Sequence, residues 1–238
     1  MKSLDLDSQG KIGIIFFIRK LMPGVYRVMP LIFIVGLLTV SLPAAPMPHA
    51  SAAAPILESD TELVTAAGCG TERWDVKTLS DADAASVHHS PRMATVEQLT
   101  GLPVPGPLKL HTARYSQERQ VYRLTARLLR YKLEKDSDFH IVIAGASGQT
   151  MIVESASPNC VRGASAADLQ AIKVARTGFL TILSATGLPA PGSSMRRVTQ
   201  RIMMMVTGVV FFDLIHGQSG VAPNGVELHP ILQIAPTH

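Results

Sequence analysis

Aromatic side chains are scarce in this chain, at 5% of residues, with a single tryptophan. Proteins that hold single-stranded nucleic acid without sequence preference stack bases on aromatic platforms inside a positive groove. A chain this poor in aromatics argues against that class. Cysteine is scarcer still, with two residues, Cys69 and Cys160. Two cysteines exclude a disulfide-dense scaffold and a four-cysteine zinc cluster. No P-loop, dinucleotide fingerprint, CxxC or HExxH spacing is present. His216-Gly217-Gln218-Ser219-Gly220 brings a histidine and a serine together, but Val221 stands where a G-x-S-x-G elbow needs its second glycine. Gly145-Ala146-Ser147-Gly148 fails in the same way and reads as a hairpin turn. Met203-Met204-Met205 suggests soft-metal ligation, yet alternation along a strand separates neighbouring side chains, so core filling is the expectation. No complete catalytic signature remains.

What is present begins with an export signal. Residues 1–28 are basic and partly apolar, Met29 to Pro46 is a longer apolar run, and Ala50-Ser51-Ala52 has the small-x-small form that a signal peptidase prefers. Residues 1–52 are therefore expected to be a signal peptide, with a start at Met22 giving an ordinary lead. An uncleaved N-terminal membrane segment is the alternative, disfavoured by Pro43, Pro46 and Pro48. Either way membrane contact is confined to that segment, transient in the first case. The expected location is secreted or periplasmic. Removing residues 1–52 takes five basic and two acidic residues from a net charge of +4, which leaves +1 and no general attraction for phosphate backbones. In an exported protein the two cysteines are expected to form a disulfide, Cys69–Cys160, rather than remain as two buried thiols.

Residues 53–120 read as an irregular arm with a Pro-rich linker, GLPVPGPLKL, and Trp74 as an anchor on the body. His88-His89 is an adjacent pair whose side chains diverge on helix or strand, so a solvated loop is expected. The body, 121–238, opens with a long strand, VYRLTARLLRYKL. Its apolar parity flips at Leu128-Leu129, which predicts a bulge that turns the other face inward. DFHIVIAG and QTMIVES give a second and third strand. Ser165 and Asp168 open a helix that Gly187 and Pro189 close. RRVTQRIMMMVTGVVFFD is a fourth strand, with Gly208 marking a bend. VELHPILQI is a fifth, with Pro230 at an edge or bulge. The fold class is mainly β with one helix.

Three strands, a helix and two strands, with a sharply coiled first strand, resemble the OB-fold, a five-stranded Greek-key barrel. The blocks YKLEKDSDFHIVIAG and GVVFFDLIHGQSGVAPNGVELHPILQI also resemble a group of exported bacterial proteins of no assigned activity. These share the Asp-x-Asp-x-His element and the ELHP ending. The first resemblance implies a ligand such as an oligosaccharide or nucleic acid on the second and third strands. The second implies an exported setting and supplies no activity.

Chemically capable side chains gather around the last loop. Asp138 and His140 share one face of the second strand, and Glu227 and His229 share one face of the fifth. Asp213, His216, Gln218 and Asn224 border the loop between the fourth and fifth strands. If the two strand faces met, the His/carboxylate set would suit a divalent metal and hydrolytic, nuclease-like chemistry. In the expected barrel order the first strand lies between the second and fifth on one side, which sets the pairs apart. The bland alternative is that these groups brace the turn and the loop. Arg123, Arg127, Arg130 and Lys132 form a basic strip on the first strand, with solvated strand faces as the alternative. The expected role is an exported, non-catalytic binding or structural module with no cofactor, for an oligosaccharide, nucleic acid or protein ligand. The alternative is a metal-dependent hydrolase.

Overall fold

In the computed structural model the described residues are Thr65 and Gly68–Thr237; the expected signal peptide or membrane segment lies outside them. One strand organises the body. β2, Gln120–Leu133, follows the short elements α1 (Trp74–Lys77), β1 (His88–Met93) and α2 (Val96–Thr100). Its first half, Val121–Arg127, pairs antiparallel with β6 (Met203–Phe212), and its second half, Arg127–Leu133, pairs antiparallel with β3 (Phe139–Ala144). The register shifts between Leu128 and Arg130, where the parity flip predicts a bulge. That irregularity lets Leu124, Ala126 and Leu128 face the core on one side of it and Tyr131 on the other.

β3 pairs with β4 (Thr150–Ser155), β4 runs parallel to β7 (Val226–Pro236), and β7 returns antiparallel to β6. The order β2-β3-β4-β7-β6 closes through the β2–β6 pair into a five-stranded mixed barrel of OB-like form. β2, with β6, lies between β3 and β7 on one side of the ring, as the expected order has it, but on the other side β4 alone separates them, so the two strand faces are not set apart. The expected fourth strand is also broken. Arg196–Arg197 is a separate two-residue strand, β5, against β2, and β6 starts at Met203. Within β6, Gly208 is needed because a Cβ there would lie 2.9 Å from Leu228 Cβ and 3.0 Å from the Pro230 carbonyl oxygen. The β6–β7 register is irregular at this point.

α3, Ala166–Ala185, packs against β7 and β4. The Ser165 hydroxyl accepts the Asp168 N–H at its start, and Gly187, at φ 71°, follows its end. Ile172, Ala175, Phe179, Ile182 and Leu183 are its buried face. Phe179 meets Tyr131 edge-to-face at 5.7 Å. Burying each large apolar side chain contributes about 1.5–3 kcal/mol. No helix among the described residues is long and apolar enough to cross a membrane.

Strand alternation sends Phe139, Ile141, Met151, Val153, Val226 and Leu228 inward. The outward set includes His140, Glu154, Glu227 and His229, and it is buried as well. The segment Cys69–Ser80 and the loop between β6 and β7 account for that. The Arg73 guanidinium donates to Glu118 and to the Phe212 carbonyl (2.9 Å) and lies 4.6 Å above the Phe211 ring. Trp74 Nε1 donates to the Cys160 carbonyl at 3.0 Å, so the lone tryptophan does anchor this segment. Cys69 and Cys160 form the expected disulfide.

Candidate functional site

The buried outward set is a chain of alternating charge. Lys132 Nζ lies 3.4 Å from Glu134. Glu134 lies 3.2 Å and Glu154 3.1 Å from His140 Nδ1. Glu154 also lies 3.0 Å from His229 Nδ1, and His229 Nε2 lies 3.3 Å from Asp138. The register explains the assembly. His140 sits directly opposite Glu154 in the β3–β4 pair, and Val153 is opposite Leu228 in the β4–β7 pair, so Glu154 and His229 are neighbours. Asp138 is fixed from both sides. Its N–H donates to Asp136 at 2.9 Å, and its Oδ1 accepts the Ser157 N–H at 2.7 Å.

The electrostatics follow from burial and pairing. Burial pulls the His229 imidazole down, but Asp138 and Glu154 outweigh it and hold the pKa at about 10. His140 is likewise raised well above its ordinary value, by Glu134 and Glu154 against burial. Burial raises Glu154, and the two histidines override it, leaving the carboxyl well below its usual range. Asp138 is raised, mainly by burial. A second lobe adjoins. Lys77 Nζ lies 3.7 Å from Asp213. Glu227 is raised well above the usual range by burial, with Asp213 and Glu154 adding repulsion. Burial and Asp213 likewise lift Glu72 to about 7.

Asp138, His140, Glu227 and His229 thus belong to one cluster, with Asp213 at its border. His216 does not join it. The residue is exposed, with its backbone N–H on Gln218 Oε1 at 2.9 Å. Asn224 serves the loop instead, donating to the carbonyls of Leu99 and Leu102 at 3.0 Å each. Glu134, Glu154, Lys77 and Glu72 are the members that sequence reasoning missed. Glu154 carries a legible signal, since it is a charge on the outward parity of QTMIVES. Lys77 carries none, because it reaches the cluster only through docking of the arm. The basic strip is divided. Arg123 donates to Thr207 Oγ1 (2.9 Å) and Gln233 (3.1 Å), Arg130 donates to Ser219 Oγ (2.7 Å), Lys132 is buried, and Arg127 is exposed.

Two triads have donor atoms within 4.8 Å of one another, Glu134–His140–Glu154 and Asp138–Glu154–His229. They differ in fit. His229 faces a carboxylate from each ring nitrogen, off the line that a hydrogen bond needs, so a proton or an ion on one side leaves the other still charged. His140 turns Nε2 to the Ser219 carbonyl at 3.0 Å and Nδ1 to the two glutamates. A ring N–H donated to a backbone carbonyl is how a ligating histidine is commonly oriented.

Fold and cluster together define an OB-like barrel with a buried ionic lattice on its outer face. Neither a scan against protein-family models nor a search of curated proteins finds a match to this chain.

Proposed function

We propose that this chain is an exported, non-catalytic binding or structural module in which the His/carboxylate set is a clamp. One observation carries the reading: His140, Glu154, His229 and Asp138 are each at most 4% exposed, and their charges face one another rather than solvent. A substrate has no route to them while the arm is docked. The clamp joins β2, β3, β4 and β7, and the arm lies over it under the Cys69–Cys160 bridge. A disulfide of this kind persists in oxidising compartments, which supports the secreted or periplasmic setting and the resemblance to exported bacterial proteins. Ligand recognition then falls to other surfaces, for an oligosaccharide, nucleic acid or protein.

The orientation of His140 favours a second reading, a divalent cation on Glu134, His140 and Glu154, and with it a hydrolase. Nitrogen-resolved NMR of the two imidazoles at about pH 8 separates the readings, because a clamp needs charged rings and a ligand needs a neutral one. Protons on all four ring nitrogens are expected, unchanged by added zinc. A single deprotonated Nδ1 on His140, with stoichiometric zinc uptake that raises the melting temperature, would favour the metal reading instead.

A further inference from the structure

Among the described residues exposed charge is mostly basic, with nine Lys and Arg side chains exposed against one carboxylate, Asp75. A cleft of about 360 Å³ concentrates the excess. Arg127 and Arg201 line it with Thr125, Met203 and the β3–β4 turn at Gly145 and Gly148. Both arginines are exposed, and neither guanidinium has a hydrogen bond or ion pair among the described residues. One acid borders the cleft. Glu97 packs against Gly145 and is engaged by the Ser147 N–H (2.9 Å) and hydroxyl (2.8 Å). Further along β2, Arg130 sits directly opposite Arg197 of β5. Like charges opposite each other across a strand pair are destabilising, and an anion between them would remove that cost.

The position of Arg127 in the β2 register, three residues before Arg130, separates the two sites by about 10 Å at the usual strand rise. A ligand that satisfies both carries at least two anionic groups along an extended chain. Among the described residues the exposed large hydrophobics are Met93, Val104, Leu110, Val174, Leu180 and Ile215, none of them aromatic. The described surface therefore offers charge and no fully exposed aromatic ring for base stacking. We propose that the cleft of Arg127 and Arg201, continued by Arg130 and Arg197, binds a sulfated or phosphorylated polysaccharide. The inference rests on the binding-module reading and supplies its ligand class. The surface is formed by β2, β5, the start of β6 and the β3–β4 turn; at its Arg130 end it meets the rim of the buried ionic lattice, where Ser219 accepts from Arg130 through its hydroxyl and faces His140 Nε2 with its carbonyl.

Heparin, a sulfated polysaccharide, is the probe, titrated against the purified full chain over a range of salt. The variant Arg127→Ala/Arg201→Ala should bind at least about tenfold more weakly, and its slope of log Kd on log salt should fall by roughly two, one per lost contact. Arg92→Ala/Lys173→Ala removes the same charge elsewhere and should stay within about twofold of the parent chain. All four side chains are exposed, so melts of the variants should match within about 0.5 kcal/mol. Equal weakening in the control pair, or no heparin binding by the parent chain, overturns the site. Oligo-dT of equal charge bound as tightly, with the same arginine dependence, overturns the polysaccharide class in favour of nucleic acid. None of these outcomes depends on a metal at Glu134 and His140, so this proposal and the clamp fail separately.

Discussion

At the scale of single residues His229 is the most consequential side chain in the lattice. It is fully buried between Asp138 and Glu154. His229→Ala leaves two buried carboxylates with no cation between them, and breaking a buried pair from one side costs about 3–5 kcal/mol. Urea unfolding should show that loss, whereas His216→Ala, at an exposed position, should stay within about 0.5 kcal/mol. Comparable losses at both positions would contradict the clamp. Glu227 predicts the opposite sign. Burial, with Asp213 and Glu154 nearby, raises its pKa well above the usual range, so an ionised Glu227 is a cost at neutral pH. Glu227→Gln should raise the midpoint of thermal unfolding at about pH 8, by roughly 2–4 °C for each kcal/mol recovered. A lower midpoint would mean that Glu227 is ionised and well paired.

At the scale of elements the arm depends on its attachments. α1 has four residues and α2 five, too short to persist as isolated helices. The Cys69–Cys160 bridge spans a separation of 91 residues and contributes about 4–5 kcal/mol in the chain-entropy picture. Cys69→Ser/Cys160→Ser should therefore release the arm first. Trp74 fluorescence should change at lower denaturant than the circular dichroism of the barrel, and coincident transitions would show arm and barrel to be one cooperative unit. The same elements show what a sequence can reveal. The bulge in β2 and the span of α3 were legible because hydrophobic periodicity encodes them directly. β1 was not legible. All six of its residues are exposed, and it pairs with β2 through backbone, so no side-chain pattern marks it. The break between β5 and β6 falls on the mixed stretch 198–202, VTQRI, just before the apolar run of β6, and no glycine or proline punctuates it. Arg176 is a charged residue at the helical spacing of the apolar stripe of α3. Its guanidinium donates to the carbonyls of Ser155 (2.7 Å) and Ser137 (2.8 Å) and lies 3.5 Å above the Phe139 ring. In the lattice, parity gave the facing pairs Asp138/His140 and Glu227/His229. Their convergence depended on β4 lying between β3 and β7, a fact of topology that neither strand carries alone.

At the scale of the whole molecule the lattice fixes how stability responds to pH. The folded pKa values of His140 and His229 lie above the unfolded value near 6.5. Their contribution is complete below about pH 6.5 and is lost as pH rises, through about 10 for His229. Glu72 acts in the same direction. With a folded pKa of about 7, it binds more protons folded than unfolded, so stability rises as pH falls from about 7 towards 4.5. Asp138 and Glu227, also raised, reinforce that trend. Glu154 opposes it. Its folded pKa is well below 4.5, so its contribution is present above that pH and is lost on strong acidification. The sum is a stability maximum between about pH 4.5 and 6.5, far from the sequence pI of about 9.2, because pairing and not net charge sets it. Thermal melts from pH 4 to 10 should show that maximum and a fall towards the alkaline side. In His229→Gln the alkaline fall should shrink, since one of the two titrating rings is gone. A profile that peaks near the pI, or an alkaline fall unchanged in that variant, would show that the two imidazoles are neutral in the folded protein and that the charge chain across β3, β4 and β7 does not hold it together.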